Sequence, residues 1–407
     1  MIDKHENVYI LRKEHLENIV PFQLEEAFQG LEFDPEGNVI IPYVHKGYTC
    51  KDKIHLFENS EVQALSFFSG CGGLDIGTQL AGVKVISSLD FDEDSVNTLK
   101  KNSFFEHSVH FNEDIVNIKG SDFTNIIKKN NPSKLIVVGG PPCQPFSKAG
   151  YWVTNEKRQA NNDPRNMIVP YFKIISEVMP DGFVLENVES ILHPSNSEAV
   201  ETIVENMERL GYHYSILKIN AADYGIPQKR KRVFFLASKK KIHAELPATH
   251  GDKKSIQENP ELLPHERVID WIAKFDNDSY YADENVSTEG KWEHELTCVP
   301  PGKNYIALTE RAGHPNPTFV AGKRYWSSLL KLHPYQPSWT IIASPGHWEG
   351  PFHWNNRRLS IRECAAIQTF PDDYMFHGSL RSQRKQIGNA VPPLLAKMIV
   401  EELGRWL

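Results

Sequence analysis

The sequence from Val62 to Ser238 predicts an α/β fold: a mostly parallel sheet covered by helices on both faces, joined to a smaller irregular region. Three features predict it. Short apolar runs alternate with segments of helical periodicity, the first run ends in a cluster of glycines, and beyond about Lys241 the alternation gives way to a stretch rich in Pro, His and Trp.

Residues 1–60 read as an appended segment, with "HLENIVPFQLEEAF" as a helix interrupted near Pro21 and "NVIIPYV" as a short strand. Strands are expected at 62–68, 83–89, 134–140, 182–188, 214–220 and 232–238, with Asp114-Ile115 closing a further one. Asp163-Pro164 supplies an N-cap and an N1 proline. The helix it opens carries Ile168, Phe172, Ile175 and Val178 at helical spacing, has Pro170 in an irregular first turn, and ends at Pro180 and Gly182. A second helix spans about Ser197 to Leu210, stopped by Gly211. Residues 241–360, with Trp292, Trp326, Trp339, Trp348 and Trp354, read as a second, irregular domain, and 361–407 regain helical character. The expected division is therefore 1–60, 61–240, 241–360 and 361–407.

The 407 residues, 40% hydrophobic and 24% charged, suit two or three ordinary globular domains. No apolar run approaches the length of a membrane span, and the N-terminus lacks the basic and apolar regions of a signal peptide, so a cytoplasmic, nucleoid-associated location is expected. Five cysteines lie far apart with no CxxC and no HExxH, which argues against a disulfide framework and against a metal site. Of the net charge of −7, residues 1–60 carry −5 (11 acids, 6 Lys/Arg). Gln228–Lys241 holds seven basic residues and no acid, and His377–Val400 holds four and none. Such runs form either a basic cleft or a solvated face, and charge alone favours the second.

Three constellations carry chemistry. "FFSGCGGLDIG" (67–77) leads a strand into Gly70, Gly72 and Gly73 at a helix start, where backbone N–H groups can cradle a ligand. A plain tight turn accounts for it equally well. With Asp90-Phe91 ending the next strand, placed for ribose hydroxyls and for stacking on adenine, an adenosine-containing cofactor becomes the better reading. "LIVVGGPPCQPFS" (135–147) mounts Cys143 on a rigid Gly-Gly-Pro-Pro corner at a strand end. A lone cysteine is usually inert core; one so mounted can be held toward a substrate as a nucleophile. Glu186 closes the neighbouring strand "GFVLENV", as a structural ion-pair partner or as a proton donor to a substrate ring. Arg230 and Arg232, two apart, would share one strand face and suit phosphate or carboxylate binding, or simply mark a basic strand entrance.

Six blocks, "FSGCGGLDIG", "GGPPCQPFS", "ENV", "YGIPQKRKRVFF", "RRLSIRECAAIQTFPDDY" and "QIGNAVPP", stand in the order found in the DNA (cytosine-5)-methyltransferases, and the chain resembles that family from about residue 62 to 407 outside the Trp-rich middle. The resemblance implies a Rossmann-like S-adenosylmethionine-dependent methyltransferase fold, with 241–360 as a target-recognition domain. It implies S-adenosyl-L-methionine, leaving as S-adenosyl-L-homocysteine, in a cradle of Phe68, Ser69, Gly70, Cys71, Gly72 and Gly73. Asp90 would sit at the ribose, Phe91 against the adenine, and Asp114, beside Ile115, at its amino group. Gly140, Pro142, Ile168, Asn389, Ala390 and Val391 complete the cofactor set. The family usually has Glu at the Asp90 position.

For catalysis the resemblance implies Cys143 adding to carbon 6 of a flipped-out cytosine, Glu186 at ring N3, and Arg232, with Arg230, at the base. Ser147 would contact a phosphate, and Lys303, Asn304, Arg311, Lys323 and Arg324 would face double-stranded DNA. No metal is called for. A monomeric prokaryotic modification enzyme, paired in function with a restriction endonuclease, is the expected setting.

Three alternatives remain in view. The related tRNA cytosine methylases carry a Cys-Phe-Thr tripeptide, which is absent here. A dinucleotide-binding oxidoreductase leaves "QIGNAVPP" and the arginine pair unexplained. A catalytically dead relative would have lost Cys143 or Glu186.

Overall fold

A computed structural model describes residues 7–142, 167–277, 284–322 and 325–407. Strand β1 (Asn7–Leu11), helix α1 (Pro21–Ala27), and strands β2 (Glu32–Phe33) and β3 (Val39–Tyr43) come first. They form a three-stranded antiparallel sheet with β3 in the middle. Pro21 opens α1 at its first position instead of interrupting a helix, because a residue there needs no N–H partner.

The alternating part follows in order: β4 (Val62–Phe67), α2 (Gly73–Leu80), β5 (Lys84–Asp90), α3 (Glu93–Lys101), β6 (Val109–Asn112), α4 (Thr124–Asn130), β7 (Lys134–Gly139), α5 (Ile168–Val178), β8 (Gly182–Val188), α6 (Ser197–Arg209), β9 (His213–Asn220), β10 (Gln228–Lys229) and β11 (Lys231–Ser238). Seven of these strands make one sheet in the order β6-β5-β4-β7-β8-β11-β9. Only β11 runs antiparallel to its neighbours. The expected mostly parallel, doubly covered sheet is what forms. Strand side chains alternate, so each strand feeds two cores. Leu65, Phe67, Val137, Phe183 and Phe235 pack against Tyr171, Phe172 and Ile175 of α5 and Ile203 and Met207 of α6. Ala64, Ile136, Val138, Val184 and Phe234 pack on the other side.

Beyond the sheet come β12 (His250–Gly251), α7 (Lys253–Glu258), β13 (Leu263–Pro264), α8 (Ile269–Ile272), α9 (Glu293–Cys298), β14 (Ser338–Trp339), α10 (Ile361–Ile367), α11 (Leu380–Asn389) and α12 (Pro393–Gly404). Helix α12 returns to the sheet: Leu395, Ala396, Ile399 and Leu403 fill the second core. A Cβ on Gly77 of α2 would stand 2.3 Å from the Ala396 Cβ, so α2 and α12 touch backbone to backbone only because that residue is glycine. The irregular stretch has its own small core, in which Leu296, Val299, Leu308, Leu329 and Phe352 are buried.

The sheet order reverses between β4 and β7. The crevice beyond the carboxyl ends at such a reversal is where open α/β sheets bind ligands. Among the described residues no helix is long and apolar enough to cross a membrane.

Candidate active site

Strand register brings the expected groups into one row. Phe67 lies opposite both Leu89 and Gly139, and Gly139 lies opposite Leu185. The next residue on each strand, Phe68, Asp90, Gly140 and Glu186, therefore stands at the same carboxyl edge. Antiparallel β11 enters at that edge too, with Arg232 opposite Val188.

The glycine loop turns sharply. Phe68, Gly70 and Gly72 all have positive φ (56°, 53° and 85°), and Gly72 caps α2. Its glycines divide by task. A Cβ on Gly72 would meet Leu99 at 2.6 Å, and one on Gly73 would meet the Val391 carbonyl oxygen at 2.3 Å, so these two serve packing. A Cβ on Gly70 would meet nothing within 4 Å. That open side is where a ligand can approach the backbone.

Asp90 holds this loop. One of its oxygens accepts from Gly70 N–H at 2.7 Å and the other from Asp92 N–H at 2.9 Å. Burial nonetheless pushes its carboxyl upward. Phe91 is 68% exposed beside it, and Asp114 caps the next turn by accepting from Val116 N–H. Ile115 and Ile168 are buried core residues.

On the other side of the crevice Arg232 Nε donates to Glu186 Oε1 at 2.7 Å. Both side chains are partly buried, and a Cβ on Gly140 would reach Glu186 Oε2 at 3.0 Å. Asn187 Nδ2 donates to the Pro141 carbonyl at 3.4 Å, fastening the corner that precedes Cys143.

Arg230 differs from Arg232 in depth. It is fully buried, and its Nη2 donates to the carbonyls of Gly388 (3.0 Å), Asn389 (3.4 Å) and Ala390 (2.8 Å). The β9–β11 ladder runs on to it, with Ala221 N–H donating to the Arg230 carbonyl at 2.9 Å, and Lys231 between the two arginines is exposed. Burial and the neighbouring Arg232 disfavour its charge, while Glu186 favours it.

The chain matches the family profile of C-5 cytosine-specific DNA methylase over residues 62–405. It belongs to that family. The methylase is 32% identical over 374 residues to the type II methyltransferase M.SacI of Streptomyces achromogenes, covering 85% of this chain and 93% of that protein. It is 31% identical to M1.HphI of Haemophilus parahaemolyticus, covering 83% of this chain and 85% of that one. Among solved structures, Entamoeba histolytica methyltransferase EhMeth (TM-score 0.55, 17% identity, 84% of this chain and 98% of that chain) and a Spodoptera frugiperda DNMT2 mutant (0.56, 17%, 84% and 99%) share its fold. The protein is a DNA cytosine-5 methyltransferase that uses S-adenosylmethionine and acts on duplex DNA. The open side of Gly70, flanked by Asp90 and exposed Phe91, fits an adenosine-bearing cofactor.

Cys143 and Ser147, and Lys323 and Arg324 among the DNA-contact candidates, lie outside the described residues of the methylase. Of the remaining candidates, Lys303 pairs with Glu26 at 2.9 Å and Arg311 is exposed. Asn304 is buried and uses both polar atoms internally, accepting from Ile306 N–H and donating to the Trp326 carbonyl, which corrects its reading as a base contact. Several lysines of the basic run 229–241 make contacts within the chain, Lys239 and Lys240 from exposed positions. Lys229 lies over the Trp339 ring, Lys239 donates to the Met179 carbonyl and Lys240 to that of Leu407.

Two groupings went unread in the sequence. Asp75 in α2 is fully buried and accepts from Ser66 Oγ (2.5 Å) and Ser88 Oγ (2.9 Å), clasping β4 and β5 beneath the glycine loop. Burial pushes its carboxyl up to about 6. In sequence it looks like an ordinary acid in a first helical turn. The second is Asp276, His353 and Glu363, whose donor atoms converge as at a metal site. Arg357 Nη2 already bridges both carboxylates, at 2.5 and 2.7 Å. His353 Nδ1 accepts from Asn355 N–H, so in the neutral ring Nε2 carries the hydrogen and offers no lone pair. The cluster is an ion-pair junction. Its one sequence signal is the capping box Ser360-x-x-Glu363.

Proposed function

We propose that this chain methylates carbon 5 of a cytosine flipped out of a specific duplex sequence, through a transient bond between Cys143 and carbon 6. The observation that carries this reading is the Arg232–Glu186 contact of 2.7 Å at the sheet edge, beside Gly140, three residues before Cys143 in the sequence. The Cys143 thiolate adds to carbon 6, and the displaced electron pair moves through the ring toward N3 and the carbonyl oxygen. Glu186 faces N3 and supplies a proton or hydrogen bond there, while Arg232 holds the carbonyl oxygen. S-adenosylmethionine supplies the methyl group from its sulfonium. Loss of the carbon 5 proton to a base returns the electron pair to the ring, re-forms the double bond and expels the thiolate.

The cofactor is held by the backbone from Phe68 to Gly73, with Asp90 at the ribose, Phe91 and Asp114 at the adenine, and Asn389–Val391 closing the site. Gly140, Pro142, Ile115 and Ile168 complete its surroundings. Arg230 acts through the loop it pins instead of touching the base. Region 241–360 reads the DNA, with Lys303, Arg311, Lys323 and Arg324 as contacts and Ser147 at a phosphate. The type II names of the relatives support a modification enzyme that works opposite a cognate restriction endonuclease, and we read it as a monomer.

The test is a duplex carrying 5-fluorocytosine at the target, incubated with S-adenosylmethionine. Fluorine cannot leave as a proton does, so a conjugate stable to denaturation and mapping to Cys143 is expected. A duplex that binds without ever forming that conjugate overturns the reading.

A further inference from the structure

The polypeptide passes between the sheet and the irregular region near residues 241–268 and again near 341–360. The two also meet where β10 pairs with β14, and Val268, Ile272 and Trp354 share one buried cluster with Ile76, Leu99 and Ile361. Residues 7–57 belong to that cluster through Leu11, Val39 and Ile41, and they reach both sides.

Toward the irregular region the contacts are polar and specific. The Tyr9 hydroxyl donates to Asp276 and accepts from Trp354 Nε1 (3.1 Å) and Asn355 Nδ2 (2.8 Å). Gln23 Nε2 donates to the Ala307 carbonyl at 2.9 Å, and His333 Nε2 to that of Ala27 at 2.8 Å. Further along, Lys46 pairs with Glu266 at 2.5 Å, and Val44 N–H donates to Asp270.

Within a few residues the same segment engages the other side. Tyr48 Oη donates to the Thr369 carbonyl at 2.9 Å, and Cys50 N–H to Asp373 at 2.8 Å. Phe57 is buried edge-on to Phe104, centroids 5.0 Å apart. The chain then becomes β4, the strand that carries the glycine loop. At its far end, Asp276 leads through Arg357 to Glu363 in the capping box of α10. Tyr9 therefore sits where the N-terminal segment, the irregular region and the returning helices meet.

We propose that residues 7–57 are a strap that holds the recognition region at a fixed angle over the catalytic sheet, with Tyr9 and Lys46 as positioning residues for DNA. The inference rests on the reading of 241–360 as the DNA-reading part. A preset angle spares the protein the ordering cost of closing around its substrate, so it lowers the DNA concentration needed and leaves the chemical step alone.

The test uses full-length Tyr9→Phe and Lys46→Met, which keep the apolar bulk of each side chain, together with the double variant. Steady-state methyl transfer, cofactor titration by calorimetry and hydrogen exchange are read in parallel. The expected result for the double variant is a KM for target duplex raised about tenfold, kcat within about twofold, unchanged affinity for S-adenosylmethionine, and faster exchange around 268–276 and 352–357. Unchanged KM despite faster exchange there overturns the strap. Cofactor affinity weakened in step with KM also overturns it, because the segment would then merely stabilise the fold. Wild-type enzyme that binds target and non-target duplex equally would instead refute the reading of 241–360, and it would do so before any variant is made.

Discussion

Arg232 Nε lies 2.7 Å from Glu186 Oε1 across two antiparallel strands, on a diagonal set by the pairing of Arg232 with Val188 and of Phe234 with Glu186. Each side chain holds the other's rotamer, so the pair acts as a unit. Glu186→Gln should slow single-turnover methyl transfer by roughly 10²–10⁴-fold. Arg232→Ala should fall in a similar range, and the double variant should be no slower than the worse single one, as for groups acting together. Additive losses, measured by rapid-quench transfer of labelled methyl, would separate the two roles.

Arg230 should behave differently although it stands only two residues away. Its guanidinium satisfies three carbonyls of the 388–390 loop from a fully buried position. Arg230→Met strands those acceptors, and a loss of about 3–5 kcal/mol in unfolding free energy is expected, the range for breaking a buried charged contact. Urea titration would show it. Arg232→Ala, at a partly open site, should cost much less stability while costing more rate.

Alanine at two of the loop-region glycines should give opposite phenotypes. At Gly77 a Cβ would stand 2.3 Å from the Ala396 Cβ and 2.5 Å from the Pro393 carbonyl oxygen, so α2 and α12 must separate. A destabilisation of about 1–3 kcal/mol or more follows. At Gly70 the space is open, and only the positive φ opposes alanine, by about 1–2 kcal/mol. Gly70→Ala should therefore fold but bind S-adenosylmethionine at least about tenfold more weakly by calorimetry.

The sheet was readable because its strands are apolar runs between turn residues, as "KLIVVGG" and "RVFFLAS" are. β6 carries only "VHFN" and ends at Asn112, two residues before the Asp114 that was its sole sign in the sequence. The row of Asp90 and Glu186 at the carboxyl edge was readable for the same reason, since both end such runs. Spacing could not separate Arg230 from Arg232. Their difference depends on carbonyls more than 150 residues later. Tyr9 was equally opaque, because Asp276 and Trp354 meet it only after the whole chain has folded. Composition marks residues 1–60 by their charge, but long-range partners do not register in a local pattern.

Asp75 gives the pH prediction. Its carboxyl is raised from 3.8 to about 6, chiefly by burial, against the opposing hydrogen bonds from Ser66, Ser88 and Ser69. An acid raised on folding binds more protons in the native state than in the unfolded one between those values. Its contribution is therefore full below about pH 4 and is lost as pH rises through 6. The difference amounts to about 3 kcal/mol at 1.36 kcal/mol per pH unit. The other acid facing it is Asp90, whose charge raises it further, and the buried Cys71 thiol and Tyr374 hydroxyl nearby stay neutral across this range. Asp75→Asn removes the titration. The stability of wild type relative to Asp75→Asn, from urea midpoints at pH 4 to 7.5, should fall as pH rises and level off above about pH 7. A difference that stays flat across that range would mean that Asp75 titrates at its ordinary value, with the three serines fully compensating its burial.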